Sequence, residues 1–344
     1  MTLRIGCVGY GTGGRHFHTP FIAAAKGCEL AGIVARAPAT IEAVREDWPD
    51  TPIFPSLTAM IEAGVCDAVT ITTPPQTRRE LVLEAIAAGV HVIADKPFAP
   101  SAAEARALGE AADQAGVTLA VYQNRRFDAD MQTLAKLIRE DALGQIWRVH
   151  SRMDFDDPAT LEAGPTGGLL RDLGSHLVDQ MIWLQGAVRT VEAHMDYVDL
   201  PEGKTDAGFT ITLCHTSGAR SHISASKLNH LHCRELRAYG TKGSYVGQST
   251  DVQAQLIFAG KRPLNDLAGW GYEPQSHWGT LHVASGDHAV PSEQGRYHDY
   301  YEAFARSIAE GTPPPVTAEQ GAYTLAVLDA ARESATTGKT VEMG

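Results

Sequence analysis

Five short segments of the chain carry residue types that suit ligand binding, and each follows a predicted β-strand. They are the glycine run Gly9-Tyr10-Gly11-Thr12-Gly13-Gly14, Arg36, Thr73-Pro74, Asp95-Lys96-Pro97 and Asn124-Arg125. In an open parallel α/β sheet, ligands bind in the crevice outside the carboxyl ends of the strands. The five segments therefore predict a single ligand site, positioned by the strands that precede them.

The glycine run has the context of a dinucleotide-binding turn. It follows the apolar run Leu3 to Val8 and precedes a helix-like stretch from Phe17 to Ala25. Gly9 permits a tight turn, Gly11 lets the backbone approach a pyrophosphate, and Gly14 allows the helix to pack against the strand. The helix amino terminus adds N–H donors for the phosphates. The alternative is an ordinary strand-to-helix turn.

The end of the second predicted strand bears on the choice of dinucleotide. An acid at this position would accept a hydrogen bond from the ribose 2′-hydroxyl. The chain has Arg36 instead, and no carboxylate follows until Glu42. A guanidinium suits a 2′-phosphate or stacks on adenine, so we predict NADP as the preferred cofactor, with NAD possible. Alternatively, Arg36 is a solvated residue at a helix start.

Lys96 follows the predicted strand His91 to Ala94, so its ammonium can reach the crevice where a nicotinamide would lie. A cation there can stabilise negative charge on the oxygen of a reacting alcohol or carbonyl. A surface ion pair with Asp95 is the alternative. Thr73 and Pro74 form a rigid turn that can pass close to the ribose and nicotinamide, although prolines also end strands without touching a ligand.

Asp172 and His176 are four residues apart on a predicted helix and share one of its faces. Leu173, Leu177 and Met181 lie on a neighbouring apolar stripe that would fix the helix against a core. The imidazole can take and return a hydroxyl proton while the carboxylate orients the ring. The pair can also be a surface ion pair or two metal ligands. We find no convincing third and fourth ligand and predict no metal.

Size and charge limit the class of protein. At 344 residues the chain predicts two domains, and its net charge of −12 argues against nucleic acid. No apolar stretch reaches the roughly 18 residues that cross a bilayer, and the amino terminus enters a strand at once, so we expect a cytoplasmic protein with no membrane contact. Five cysteines without a Cys-x-x-Cys pair predict neither a disulfide framework nor a zinc knuckle.

The pattern of elements changes near residue 124. Before it, apolar strands alternate with helices, which predicts a parallel sheet covered on both faces. After it, runs such as Ala207 to Cys214 and Arg220 to Lys227 alternate polar and apolar residues, as in a half-exposed antiparallel sheet. We therefore predict an α/β fold with domains at 1–123 and 124–344, the last helix being able to pack back on the first domain. The stretch Gly260 to Gly295 has no clear periodicity and is not assigned.

Together, several motifs resemble the glucose-fructose oxidoreductase, inositol dehydrogenase and MocA (Gfo/Idh/MocA) family over essentially the whole chain. The matching segments are Gly9 to Gly14, Phe17-His18-Thr19-Pro20, Thr73-Pro74-Pro75, Asp95-Lys96-Pro97, Asn124-Arg125-Arg126 and Gly167 to His176. The resemblance implies an amino-terminal Rossmann domain and a carboxyl-terminal α/β domain. The large, open, mainly antiparallel sheet of the second domain commonly forms a homodimer or homotetramer interface in the family. Two of the segments look like the subgroup that contains NADP-dependent scyllo-inositol dehydrogenases.

The resemblance also implies the activity. Lys96, Asp172 and His176 match the family's catalytic trio, which moves hydride between nicotinamide and a secondary alcohol carbon of a cyclic polyol, inositol or sugar. We predict cofactor contacts from the glycine run, Arg36, Thr73, Pro74, Asp95, Lys96 and Asn124, and substrate contacts from Lys96, Asn124, Arg125, Asp154, Asp172 and His176. The alternatives are a catalytically silent dinucleotide-sensing regulator and a redox-assisted, NAD-dependent glycosidase, both of which the family includes.

The chain departs from the family pattern at two positions. The family usually has Glu before the Lys-Pro pair, and here Asp95 is one methylene shorter. Arg78 stands where a His is frequent after the Thr-Pro turn. Both departures fall beside predicted cofactor contacts.

Overall fold

The first apolar run forms a central strand of a parallel sheet. In the computed structural model, which describes residues 2–164, 167–248 and 250–344, six strands pair in the order β3-β2-β1-β4-β5-β6. This is the order of a doubly wound dinucleotide-binding sheet, whose topological switch point lies between β1 and β4. The strands are β1 (Leu3–Val8), β2 (Cys28–Val34), β3 (Ile53–Phe54), β4 (Ala68–Ile71), β5 (His91–Asp95) and β6 (Leu119–Tyr122).

Helices connect these strands, as the alternating pattern predicts. A π-helical turn, Gly13–His18, leads directly into the first α-helix. Ser101 accepts the N–H of Glu104 at the start of the fifth helix, and Gly116 ends that helix with a φ of +67°. The helices are α1 (Thr19–Ala24), α2 (Pro38–Asp47), α3 (Leu57–Glu62), α4 (Pro75–Ala87) and α5 (Ala102–Ala115).

The second half of the chain contains a nine-stranded sheet in the order β14-β13-β12-β11-β7-β10-β9-β8-β15. All neighbours are antiparallel except β7 and β10, which confirms the predicted fold class. The strands are β7 (Ile146–Asp154), β8 (Val188–Leu200), β9 (Gly203–His215), β10 (Arg220–Ser226), β11 (Cys233–Gly240), β12 (Gly243–Gln248), β13 (Gly279–Val283), β14 (Gly286–Val290) and β15 (Val341–Glu342).

Five further α-helices lie in the described residues of the second half. They are α6 (Ala129–Arg139), α7 (Ser175–Gln185), α8 (Val252–Phe258), α9 (His298–Glu310) and α10 (Ala318–Thr337). A second π-helical turn, Leu170–Gly174, runs directly into α7. None of the helices in the described parts of the chain is long and apolar enough to cross a membrane.

Contacts divide the chain into two units that interleave in sequence. The first unit contains residues 1–124, 253–270 and 296–322, and the second contains residues 125–252, 271–295 and 323–344. The sequence prediction treats the chain as two consecutive pieces, whereas in the structure two later segments return to the first unit. The segment 296–322 returns because α9 is amphipathic: Tyr300, Tyr301 and Phe304 are fully buried, and the two tyrosine rings contact Tyr122 of β6.

Candidate active site

The glycine run forms the turn between β1 and the helical segment that begins at Gly13. Gly9 has a φ of +104°, which residues with a side chain rarely adopt. A side chain at Gly14 would clash with the carbonyl oxygen of Gly9, so this glycine lets helix and strand approach closely. At Gly11, nothing lies within 4 Å of the place where a Cβ would stand. This open space above the turn fits the approach of a pyrophosphate to the backbone.

Tyr10 packs into the core next to the glycine turn. Its ring is buried, and its hydroxyl donates to Asp47 at 2.8 Å. Arg15 donates to the same carboxylate through Nε at 2.6 Å, and although burial alone would raise the pKa of Asp47, the hydrogen bonds from Arg15 and Tyr10 lower it. Thr12 is exposed to solvent, unlike the buried Tyr10 ring. The Tyr10 ring packs in a cluster with Cys7, Ile33, Ala35 and Val44.

Arg36 lies two residues beyond β2 and is exposed to solvent. None of the hydrogen bonds or ion pairs among residues 2–164, 167–248 and 250–344 involves its guanidinium. Because adenosine lies at the end of the second strand in doubly wound sheets, the position fits a 2′-phosphate.

Arg78 clamps the two loops that carry the predicted nicotinamide contacts. It lies in the first turns of α4 and is buried, with 3% of its surface exposed. Its Nη1 donates to the carbonyl oxygens of Asp95 at 2.7 Å and Pro97 at 2.5 Å, and its Nη2 donates to that of Thr73 at 2.6 Å. Burial lowers the pKa of Arg78. The departure from the family pattern at this position thus ties the β4–α4 loop to the backbone on either side of Lys96.

Asp95 forms hydrogen bonds and an ion pair with residues of the first unit. Its Oδ1 accepts the backbone N–H of Lys96 at 2.8 Å, and its Oδ2 accepts the Thr72 hydroxyl at 3.3 Å and lies 3.6 Å from Nε2 of His18. Burial alone would raise the pKa of Asp95, but the His18 imidazole and the charges of Arg78 and Lys96 hold it well below its usual range. The shorter acid therefore fixes the backbone of the loop from which Lys96 projects.

His18 belongs to the core rather than to the open side of the turn. It is 1% exposed, and its Nδ1 shares hydrogen bonds with the hydroxyls of Tyr301 at 2.7 Å and Thr70 at 2.9 Å. These contacts give His18 a packing role. Thr73 places its hydroxyl in a buried position without a hydrogen-bond partner among the described residues. A polar atom of this kind beside the glycine turn is a further feature that fits a ligand.

Asn124 and Arg125 follow β6, at the point where the first unit ends and the second begins. Asn124 is buried in a short 3₁₀ turn, Asn124–Phe127. Arg125 donates through Nη1 to Asp251 at 2.7 Å and to Asp128 at 3.3 Å. Its guanidinium therefore already carries two carboxylate contacts within the second unit.

The second unit holds Asp172 and His176 on one continuous helical segment. Asp172 lies in the π-helical turn, and His176 lies in the first turn of α7. π-Helical turns occur frequently at functional sites. The Asp172 side chain is 49% exposed, whereas His176 is buried. Lys227, which follows β10, lies with its Nζ 3.2 Å from Oδ2 of Asp172.

Two further ion pairs lie in the second unit. Asp154, predicted to contact substrate, is 2% exposed and accepts Nε of Arg152 at 2.6 Å. Arg126 and Asp179 form a buried bidentate ion pair, with both N···O distances at 2.7 Å. Asp179 is three residues beyond His176, so the pair anchors the face of α7 that carries the histidine. Sequence reasoning noted Arg126 in a motif but missed Asp179, because no local pattern marks the partner of a buried arginine.

One group of side chains in the described part of the chain has the spacing of metal ligands. His298, Asp299 and Glu302 of α9 place one ligand atom each within 4.8 Å of one another. Arg296 donates to both oxygens of Asp299, and the backbone N–H of Lys26 donates to Glu302. Asp299 thus already has an Arg296 partner, and the group lies in the first unit whereas Asp172 and His176 lie in the second.

The first unit, with its strand order and open glycine turn, defines a dinucleotide-binding protein. Residues 3–123 match the family model described as an oxidoreductase family with an NAD-binding Rossmann fold, and residues 135–343 match that family's carboxyl-terminal α/β domain. The chain therefore belongs to the Gfo/Idh/MocA oxidoreductase family. It is an NAD(P)-dependent oxidoreductase.

Relatives and solved structures cover nearly the whole chain. The scyllo-inositol 2-dehydrogenase (NADP(+)) IolW of Bacillus subtilis is 30% identical over 349 residues, covering 99% of this chain and 96% of the relative. A D-apiose dehydrogenase of Rhizobium rhizogenes is 26% identical and covers 93% of this chain and 91% of its own. The solved structure of yvaA from Bacillus subtilis superposes with a TM-score of 0.90 at 30% identity, covering all of both chains.

Proposed function

We propose that the protein is an NADP-preferring dehydrogenase that oxidises a secondary alcohol of a cyclic polyol, inositol or sugar, or reduces the corresponding ketone. The observation that carries the proposal is the convergence at the ends of β1, β4 and β5. There, an open glycine turn and two loops clamped by Arg78 meet at the switch point of a dinucleotide-binding sheet. The names of the inositol and apiose dehydrogenase relatives support the substrate class.

The chain's own residues have distinct roles in this proposal. The glycine turn, Thr73, Pro74, Asp95 and Asn124 would hold the dinucleotide, and the exposed Arg36 would pair with its 2′-phosphate. When bound, the nicotinamide accepts or donates the hydride. Lys96 donates a hydrogen bond to the reacting oxygen and stabilises its developing negative charge. His176 takes the hydroxyl proton in oxidation and returns it in reduction, and Asp172 orients the imidazole.

The test is a panel of polyols and sugars offered with each dinucleotide, read by the absorbance of the reduced cofactor. We expect net NADPH formation with a cyclic polyol or sugar. Replacing His176→Ala should lower turnover by about 100-fold, the usual scale for a positioned acid-base group, while the dinucleotide dissociation constant stays unchanged. His194→Ala, at a side chain that is 79% exposed on β8, is the matched control and should leave turnover unaltered.

Three results would contradict the proposal in different ways. Near-normal turnover in His176→Ala would remove this residue from proton transfer. Tight dinucleotide binding without any net redox change would favour a sensing regulator. Glycoside cleavage without accumulation of reduced cofactor would favour the redox-assisted glycosidases of the family.

We also propose that the protein works in the cytoplasm as a homodimer or homotetramer formed through the second sheet. All five cysteines have free thiols, which suits a reducing compartment. Light scattering coupled to size exclusion tests the assembly, and a monomer at micromolar concentration would contradict it.

A further inference from the structure

Lys227 is a buried cation that none of the predicted roles uses. It directly follows β10 and has 7% of its surface exposed. Its Nζ donates to Oδ2 of Asp172 at 3.2 Å and to the carbonyl oxygen of Thr160 at 3.3 Å. A buried ammonium needs a compensating charge, and Asp172 supplies one.

The backbone holds Lys227 firmly in place. Its N–H donates to the carbonyl oxygen of Ala207 in β9 at 3.0 Å, and its own carbonyl oxygen accepts the N–H of Asp157 at 3.3 Å. Two chain segments therefore hold the backbone from which the lysine side chain extends. The short reach from this backbone to Asp172 limits where the ammonium can go.

The turn that carries Asp172 is fixed as well. The N–H of Asp172 donates to the carbonyl oxygen of Gly168 at 3.1 Å, and the Ser175 hydroxyl donates to the carbonyl oxygen of Asp172 at 3.0 Å. Two residues earlier, the N–H of Leu170 donates to the buried Asp206 at 2.6 Å. Because both backbones are held, the Lys227 ammonium restrains the orientation of a carboxylate that is half exposed.

We infer that Lys227 is a positioning residue, which fixes the Asp172 carboxylate and tunes the protonation of the neighbouring His176. The inference rests on the proposed function, in which Asp172 and His176 act as a pair. A nearby positive charge favours the ionised carboxylate and disfavours the imidazolium. In this inference, the Lys227 charge favours the ionised Asp172 carboxylate and opposes protonation of His176.

The experiment compares Lys227→Met, which removes the charge, with Lys227→Arg, which keeps it. Without the cation, the titration midpoint of His176 should move upward by roughly 0.5 to 1 pH unit. The acid limb of the pH profile of kcat/KM should move in the same direction. We expect kcat to fall by about tenfold or more in Lys227→Met with the dinucleotide KM unchanged, and Lys227→Arg to recover most of it.

The matched control is Lys242→Met, which breaks an ion pair with Asp141 on the surface of the same unit. This variant should leave the His176 titration and kcat at their native values. A merely structural lysine would change stability without moving the titration. If Lys227→Met does not fold, Lys227→Gln, which keeps a hydrogen-bond donor but no charge, replaces it in the experiment.

The His176 titration is read by NMR on the protein without substrate, with the signal assigned from its absence in His176→Gln. It therefore tests the coupling even if no polyol is oxidised, an outcome that would contradict the proposed function alone. An unmoved midpoint together with native kcat in a folded, neutral Lys227 variant overturns the inference. So does failure of both neutral variants to fold, because the pair would then serve folding only.

Discussion

The buried guanidinium of Arg78 offers the sharpest test of how the first unit holds its cofactor loops. The variant Arg78→Met keeps the apolar stem and removes the donors to the carbonyl oxygens of Thr73, Asp95 and Pro97. Hydrogen bonds from a charged donor contribute about 1.5 to 3 kcal/mol each, which sets an upper limit of roughly 4.5 to 9 kcal/mol. Holding a cation in a buried position offsets part of this sum, as the lowered pKa of Arg78 indicates.

Three buried carbonyl oxygens left without their donor would cost about 1 to 3 kcal/mol each, or about 3 to 9 kcal/mol together. We expect Arg78→Met to fall near the lower end, at about 3 kcal/mol of unfolding free energy, because water can solvate some of the released carbonyls. The loops should also lose their relative placement. We therefore expect dinucleotide affinity to fall by about tenfold, equivalent to about 1.4 kcal/mol.

Urea unfolding followed by circular dichroism measures the first quantity, and fluorescence titration with NADPH measures the second. The matched control is Arg79→Met at the next residue, whose side chain is 55% exposed and lies 3.8 Å from Glu104. An exposed pair of this kind contributes at most about 1 kcal/mol, so the control should stay close to the native protein. Arg78→Met with native stability would refute the clamp, and reduced stability with native affinity would refute its link to the cofactor.

Three other predictions follow from the same physical reasoning. Gly14→Ala should lower the thermal unfolding midpoint because the new methyl group meets the backbone of Gly9. Gly11→Ala should leave the midpoint unchanged and weaken NADPH binding. Equal effects of the two variants on the midpoint and on binding would contradict these separate roles. Arg36→Asp should lower the NADP to NAD ratio of kcat/KM by about tenfold or more, and an unchanged ratio would remove Arg36 from 2′-phosphate recognition. The pKa values of His150 and His222 are lowered, mainly by burial and secondly by neighbouring cations. The unfolded chain therefore binds more protons than the native state below about pH 6.5. Stability should therefore decline as the pH falls from 7.5 to 5.5, and the double Gln variant should show a flatter decline in urea titrations.

The elements of the first unit were largely predictable from sequence because apolar strands and Ala-rich helices alternate there. The strand Leu3–Val8, for example, was predicted with its observed bounds. The second sheet was harder. Most of β8, Val188–Leu200, is exposed or half-buried, so its pattern lacks the strong apolar face that marks a strand. Strands β13 and β14 lie inside the unassigned stretch, where Gly, Trp and His residues obscure the alternation of polar and apolar residues.

The site divides in the same way between local and long-range information. The glycine turn, Lys96 and the Asp172 and His176 pair each depend on neighbours in sequence, so short motifs could nominate them. Lys227 is 55 residues from Asp172, and the two approach only because β10 ends beside the π-helical turn. The role of Arg78 was equally hidden, since its acceptors are backbone carbonyls that have no sequence signature.

The interleaving of the two units has a consequence for protein synthesis. The first unit begins at the amino terminus, yet Val121 in its sixth strand accepts the hydroxyl of Tyr300, and the buried ring of Phe304 comes later still. A ribosome must therefore translate past residue 304 before the nucleotide-binding half can close its core. A fragment ending at residue 124 should emerge with uncovered aromatic surface and recruit chaperones, instead of folding ahead of the rest.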